Sequence, residues 1–507
     1  MAPTQDVADY LASQLFLVAG NGEIAAVIAE GTRLLTDRPH LLALIAADRD
    51  AVALTAKQRR HDTARWHLEQ TPPLPLREPA APTAAPALTL ATGRPRTTDE
   101  TVFFYLLLRG AFGGELSDRQ VWSLLADSLT LHARLADAHD RLPQRSTILG
   151  ILNRLSVATV TAIHRALLDQ ARTEHLDDFA VVVADSTASA ANSRFPTDSG
   201  LILRLLTRVF ARWQALAAQG LPACPRGHLP RWHQQLNRQS QTIDYARRAG
   251  KRRSAYRQFL ATAGQLRTGL GDAYDRHAPA SERHCAALPP RAAATASRQW
   301  QAILLDLAEA DQLCSVARAR VLAGHPGEPD RLWSLSDPDA RLIVKGGRDT
   351  VFGYRPTVVR SQAGLLTALC LEVGNPADST LVLDALAAHR AATGVQPRAA
   401  SFDDGYANTA AAQQAARAGT LISVAGSKGK RQTAPADWER VEYRDLRRLR
   451  PQIEATIGTL KARHGWRRLS RRGLPAVHRT LLEGMIAYNL LKLRRLRQQA
   501  ARAPAAA

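Results

Sequence analysis

Cysteine is scarce in this 507-residue chain: the four present, at 224, 285, 314 and 370, form no CxxC pair and no framework spacing. That argues against a disulfide scaffold of the secreted kind and makes free, buried thiols in a reducing compartment the expectation. Aromatic residues are only 5% of the chain, too few for a general platform on which single strands stack. No apolar run approaches the ~20 residues a membrane-spanning helix needs, and MAPTQDVADY at the start lacks the basic-then-apolar order of a secretory signal. A cytoplasmic protein without a membrane partner is expected. Acidic residues are also in short supply, 46 against 67 Lys plus Arg, which leaves a formal charge of +21. Such an imbalance favours a polyanion, nucleic acid first. An arginine-rich coding bias would spread the charge evenly, yet Arg440, Arg444, Arg447, Arg448, Arg471 and Arg472 crowd around Glu454.

What is present divides the chain, which at 45% hydrophobic is long enough for three or four domains. Residues 1–68 read as a small helical module, with Val7, Leu11, Leu15 and Leu17 followed by LLALIAA at 41–47. Residues 69–98, around TPPLPLREPAAPTAAPALTLATGRPR, are rich in Pro and Ala and read as a stiff, extended linker. Helical periodicity returns over 99–177, in VFFYLLLRGAF and VWSLLADSLTLHARL, with Ser146-Thr147 as a helix start. Two readings of that region stand: a helix-turn-helix DNA reader, or a helical support packed on the core. Residues 207–340 are helical and heavily basic, including RRAGKRRSAYRQF at 247–259, and 496–507 read as a disordered tail.

Strand patterning brackets that helical segment. Phe179 to Ala184 are apolar and Val-rich without alternation, the pattern of a strand covered on both faces, and Asp185 follows directly. VFGYRPTVVR at 351–360 and LLTALCLEV at 365–373 read as an antiparallel pair joined by a turn at 361–364. A helix over 378–393 ends at Gly394, then a strand ends at Phe402, followed by Asp403, Asp404, Gly405 and Tyr406. A helix over about 408–418, the strand LISV at 421–424 and a helix carrying Arg450, Glu454 and Lys461 complete the pattern. Steps of four and seven return to one helix face, so these three side chains share a stripe. Such a stripe by itself is most often a solvated face with weak ion pairs. Beside two aspartates at strand ends it reads instead as carboxylates for a metal ion and bases for phosphate.

The order Asp185, Asp403 in D-x-G-Y, and Glu454 in R-x3-E-x6-K resembles the DDE transposases of bacterial insertion sequences. DSTASAANSRFPTDSG from Asp185 to Gly200, VGNPADST from Val373 to Thr380, and GELSDRQVWSLLADSL from Gly114 to Leu129 carry the same likeness. It spans roughly 100–206 and 341–495. The family's signature usually begins with Tyr three residues before the Arg; here that position is Arg447, and the nearest Tyr is Tyr443. Asp404 leaves the second acid ambiguous by one place, and Asp403 is favoured as the first residue of D-x-G-Y.

The resemblance implies an α/β fold, a ribonuclease H-like mixed-sheet core over 178–206 and 341–495, interrupted by the large helical insertion and preceded by helical N-terminal modules. It implies Asp185, Asp403 and Glu454 as catalytic and metal-holding residues, with Mg²⁺ or Mn²⁺, two ions per site. It further implies a transposase that binds terminal inverted repeats, cleaves DNA and transfers strands to a target, acting as a homodimer or larger on double-stranded DNA in the bacterial nucleoid. Kept beside it are a structure-specific nuclease of the same fold and a catalytically inactive DNA-binding relic. Lys461, Arg450, Arg463, Arg467, Arg468, Lys428, Lys430, Asn192 and Trp466 are the expected DNA contacts. Trp466 either stacks on a base or packs beneath the basic helix, and Asn192, like Arg194, either touches DNA or holds a loop. Asp198 is expected to cap a helix. Cys224 with His228, and His284 with Cys285, lack zinc-site spacing, and KGGR at 345–348 is a weak phosphate cradle.

Overall fold

The computed structural model describes residues 22–70, 97–127, 132, 135, 142–224, 227–325, 333–344, 350–374 and 376–502. Val7, Leu11, Leu15 and Leu17, the linker from 71 to 96, KGGR at 345–348 and the end of the tail lie outside the described residues. Two compact units form, residues 1–52, 92–192 and 339–507 making one, residues 53–91 and 193–338 the other. This division differs from the expected separate N-terminal module over 1–68.

In the first unit, helical residues 22–37 (α1) precede α2 (His40–Gln70, of which residues from 53 onward count with the other unit), α3 (Asp99–Phe112), α4 (Asp118–Asp127), α5 (Arg145–Leu152) and α6 (Val157–Thr173). Long-range ion pairs hold α1 to this unit: Arg463 binds Glu23, and Arg497 binds Glu30. Thr98 caps α3, its Oγ1 accepting from Thr101 N at 3.2 Å, and Asp99 and Glu100 suit the positive end of the helix dipole. Every residue from Thr101 to Phe112 is buried, so beyond Asp99 and Glu100 α3 is a strut packed within this unit. Of the two readings of 99–177, support is the one α3 fits.

Strands β1 (Val181–Ser186) and β2 (Ser189–Ala190) follow, and then the second unit: α7 (Asp198–Ala217), α8 (Leu229–Tyr245), α9 (Ala249–Ala286) and α10 (Pro290–Ala317). Its core gathers Leu205, Val209, Trp213, Phe259, Leu266, Trp300 and Ile303. Tyr274 stacks on Trp300 at 4.4 Å between ring centres, and Trp213 meets the same ring edge-on at 5.6 Å. Thr197, one residue before the expected cap, caps α7 by accepting from Gly200 N at 3.2 Å. Asp198 is buried and pairs with Arg320 at 2.6 Å.

Returning to the first unit, the chain forms β3 (Arg341–Ile343), β4 (Val351–Tyr354), β5 (Thr357–Ser361), β6 (Leu366–Cys370), α11 (Val382–Thr393), β7 (Ala399–Phe402), α12 (Thr409–Arg417) and β8 (Leu421–Val424). Helices α13 (Ser427–Gln432), α14 (Pro435–Trp438), α15 (Val441–Arg448), α16 (Arg450–Arg463) and α17 (Leu474–Arg502) end it. The main sheet runs β6-β5-β1-β7-β8, with β5 antiparallel to β1 and β6, and β7 parallel to β1 and β8. This is the mixed-sheet α/β arrangement of a ribonuclease H-like core. The expected single strand over 351–360 is two, because Pro356 has no N–H to give a ladder; β4 joins a small sheet, β2-β4-β3, and only β5 pairs with β6. The expected disordered tail from 496 is also corrected: residues up to Arg502 continue α17, where Arg497 is fixed by Glu30 and Glu174.

Gly110 sets the crossing of α3 and α17, since a Cβ there would stand 2.1 Å from the Glu483 carbonyl oxygen. On the far side, Asn489 of α17 seals the edge of β6: its Oδ1 accepts from Leu366 N and its Nδ2 donates to Leu366 O, both at 2.8 Å. His164 donates to the same carbonyl at 2.8 Å. His164, His389 and His464 are buried, and burial pushes each imidazole down to about 4 against opposing bonds to carbonyls of Leu366, Phe179 and Gly110. The unfolded chain takes up these protons near pH 6.5 and the folded one does not, so stability is full above pH 6.5 and falls as pH drops toward 4. At pH 5 the expected loss is about 2 kcal/mol for each histidine. Denaturant titrations at pH 7 and pH 5 measure it, and equal stabilities would refute it.

Candidate active site

Asp185 is the fifth residue of β1, at the centre of the sheet, in register with Val358 of β5. Val181 to Ala184 are buried on both faces and fix the strand, so the first polar position after them projects from its carboxyl end. Asp403 follows β7, the parallel neighbour of β1, and opens the 3₁₀ turn Asp404–Tyr406. Parallel neighbours end on the same side of a sheet, which brings the two aspartates together. Glu454 comes from the second turn of α16.

These three carboxylates converge on one atom. Arg450 Nη2 lies 3.3 Å from Asp185 Oδ2, 3.6 Å from Asp403 Oδ1 and 3.5 Å from Glu454 Oε1. No two of those oxygens can therefore be further apart than twice 3.6 Å. The Arg450 side chain is 9% exposed, and its Nη1 donates to the Ala184 carbonyl at 3.3 Å. Around it, the Asp185 side chain is 15% exposed, Asp403 55% and Glu454 64%. The guanidinium is thus a buried cation ringed by acids that reach out to solvent.

The donor set suits a hard divalent cation: carboxylate oxygens from three elements, with neither Cys nor His among them. As they stand, the oxygens surround a guanidinium at ion-pair distance, wider than the roughly 2.1 Å of a Mg²⁺–oxygen bond. Correspondingly, among the described residues no three His, Cys, Asp or Glu already stand at cation-holding spacing. Asp403 and Glu454 are exposed enough to close that gap by side-chain rotation. Asp404 faces elsewhere. Its Oδ1 accepts from the backbone N of Lys428 at 2.6 Å and of Gly429 at 3.1 Å, capping α13. Slight burial raises its pKa, and the two N–H donors outweigh that, holding the carboxyl below its ordinary range. Beneath the site, the Tyr406 phenol is buried and shares a hydrogen bond with Thr357 at 3.2 Å. Burial, then the carboxylates of Asp378 and Asp185, raise its pKa. This buttress is the Tyr of D-x-G-Y, the one signal that pointed to it.

The remaining expected contacts separate into spent and presented side chains. Lys461 is half-buried on α16, two turns beyond Glu454. Lys428 and Lys430 are exposed on α13, which Gly429 seats on β8; a Cβ there would meet the Val424 carbonyl at 2.0 Å. Arg467 and Arg468 are exposed where 467–469 adds to the small sheet, through Ala190 N to Arg467 O at 3.1 Å and Leu469 N to Ala190 O at 2.8 Å. Arg463 is not presented: Glu23 and Glu115 bind it. Trp466 is fully buried, its Nε1 donating to Leu481 O at 3.3 Å, so packing replaces base stacking. Asn192 holds a loop, donating to Ser470 O at 3.0 Å and accepting from Arg472 Nε at 2.7 Å. Arg471 is buried against Glu483 at 2.6 Å, and Arg447, in the place of the family's Tyr, lies 3.9 Å over the Trp438 ring. Tyr443 lies on α15, a different helix from Arg450. Among the described residues no single helix is long and apolar enough to cross a membrane.

Residues 325–490 match the family described as the transposase DDE domain. No curated protein and no solved structure matches the chain.

Proposed function

From a chain that carries a transposase DDE domain over residues 325–490, we propose a transposase that binds terminal inverted repeats, cleaves the DNA at them and transfers the freed ends to target DNA. The observation that supports this most is the meeting of Asp185, Asp403 and Glu454 at Arg450 Nη2, three hard oxygen donors around one cationic position. Asp185, Asp403 and Glu454 would hold Mg²⁺ or Mn²⁺, two ions per site, whose chemistry is to activate water or a 3′-hydroxyl and to stabilise the departing 3′-oxygen of an in-line displacement. Lys461 holds a phosphate beside the scissile bond from the same helix face as Glu454. Arg450, which pairs with all three acids, keeps Glu454 oriented, and would be available to phosphate were a divalent cation to take its place among them. Exposed Lys428, Lys430, Arg467 and Arg468 add backbone contacts that strengthen binding in low salt. Joining two ends in one reaction calls for two such chains on the DNA.

The test is incubation of the purified chain with labelled duplex carrying the inverted repeats that flank its gene, with Mg²⁺ or Mn²⁺, alongside Glu454→Gln. Cleaved and joined products from the wild type alone are expected. Cleavage without joining would make it a nuclease of the same fold, and metal-independent binding without cleavage a DNA-binding relic.

A further inference from the structure

The second unit carries a cationic surface that its own fold does not explain. Where α8 gives way to α9, Arg247, Arg248, Lys251, Arg252 and Arg253 are all exposed, and none forms an ion pair with any described residue. No acidic residue occurs in the sequence between Asp244 and Asp272. The first turn of α9 holds no acid and no side-chain cap, so these cations crowd the positive end of a helix dipole, the end at which cations destabilise. Some exposed arginines elsewhere are placed differently: Arg440 has Asp437 and Glu442, and Arg448 has Asp445. Those nearest Glu454 are largely spent as well, on Trp438 for Arg447, on Glu23 and Glu115 for Arg463, and on Glu483 for Arg471. Beside the unpaired cluster, Tyr245 stands 84% exposed, an aromatic ring that the unit's core does not use.

Five unpaired cations and one projecting ring gain nothing from the folded chain alone and suit a polyanion with flat, stackable parts. We propose that the turn from Tyr245 to Arg253 is a DNA-docking surface: it binds the sugar–phosphate backbone of duplex DNA without regard to sequence, and Tyr245 packs against a sugar or an accessible base. This rests on the reading of the chain as a DNA enzyme and gives the helical insertion a task within it, anchoring DNA independently of the carboxylate site.

The experiment uses the full-length chain and a random-sequence duplex, with fluorescence anisotropy across a salt series, for wild type and for a variant with Arg247, Arg248, Lys251, Arg252 and Arg253 all changed to Gln. Each phosphate contact contributes about 0.9 to the slope of log affinity against log salt, so the variant's slope is expected to be shallower by up to about 4.5. Arg252→Gln with Arg253→Gln, a lighter change, is expected to make it shallower by about 2, and Tyr245→Ala to weaken binding at unchanged slope. Without DNA, the melting temperature of the Gln variants stays level or rises, because cations leave the wrong end of a helix; a structural role would lower it. An unchanged slope and affinity in both Gln variants would overturn the proposal. Metal-dependent cleavage of terminal repeats, run in parallel, separates the two ideas. Cleavage by wild type with an unchanged slope in the variants sinks only the docking surface, and a shallower slope without any cleavage sinks only the transposase reading.

Discussion

Asp403→Asn is expected to lower metal-dependent strand cleavage by about 1,000-fold or more, roughly 4 kcal/mol of lost transition-state stabilisation. The amide keeps the size of the side chain and removes the charge that faces Arg450 Nη2 at 3.6 Å. Because three carboxylates surround one guanidinium, taking a negative charge away relieves repulsion among the acids, and the melting temperature of Asp403→Asn should hold or rise. Asp404→Ala, one residue along, should do the reverse. It removes the acceptor for the backbone N–H groups of Lys428 and Gly429, costing about 1 kcal/mol of stability, and reduces cleavage by less than about tenfold. Rates with Mg²⁺ and thermal melts on the two variants decide the matter. Loss of cleavage in Asp404→Ala with activity retained in Asp403→Asn would exchange the two roles.

Arg450→Ala carries the second large effect, this time on stability. It strands Asp185 and the Ala184 carbonyl without their guanidinium donor and leaves Asp403 and Glu454 facing like charge. In the metal-free chain the expected cost is about 2–4 kcal/mol, discounted for the solvent that reaches Asp403 and Glu454. A divalent cation restores it, since binding to the folded state alone stabilises by about 2.7 kcal/mol at a hundredfold excess over Kd. Mg²⁺ should therefore raise the melting temperature of Arg450→Ala more than that of the wild type. Calorimetric titration should show tighter Mg²⁺ binding in the variant, because there is no guanidinium to displace. An Arg450→Ala chain that is equally destabilised with and without Mg²⁺ would remove Arg450 from the site's charge balance.

The convergence of Asp185, Asp403 and Glu454 was legible because each acid is marked locally: a Val-rich run ends at Asp185, a Gly-Tyr turn follows Asp403, and a helical stripe joins Glu454 to Arg450. Local marks also placed β7, β8, α12 and the Gly394 stop, whose φ of 73° only a residue without a side chain takes easily. What escaped is long-range. Nothing near Arg463 announces Glu23, 440 positions away, and nothing in HGWRR tells that Trp466 turns inward to Leu481. Charge counts treat all arginines alike, whereas burial against Glu483 or stacking on Trp438 withdraws Arg471 and Arg447 from any partner. The cap of α7 falls on Thr197 and not on Asp198, one place along, because both are good caps and Asp198 is buried in an ion pair with the exposed Arg320.

The threading of the first unit also fixes an order of events during synthesis. Arg450 closes on Ala184 across 266 positions and Arg497 on Glu30 across 467, while the helices of the second unit are contiguous from Asp198 to Ala317. As the chain leaves the ribosome, the second unit has all its core residues while β1 still waits for β5 and β7, and α3 for α17. The carboxylate cluster therefore cannot assemble until Glu454 has been made, well after the second unit has its core residues, and nascent chains spend that part of elongation without a completed site.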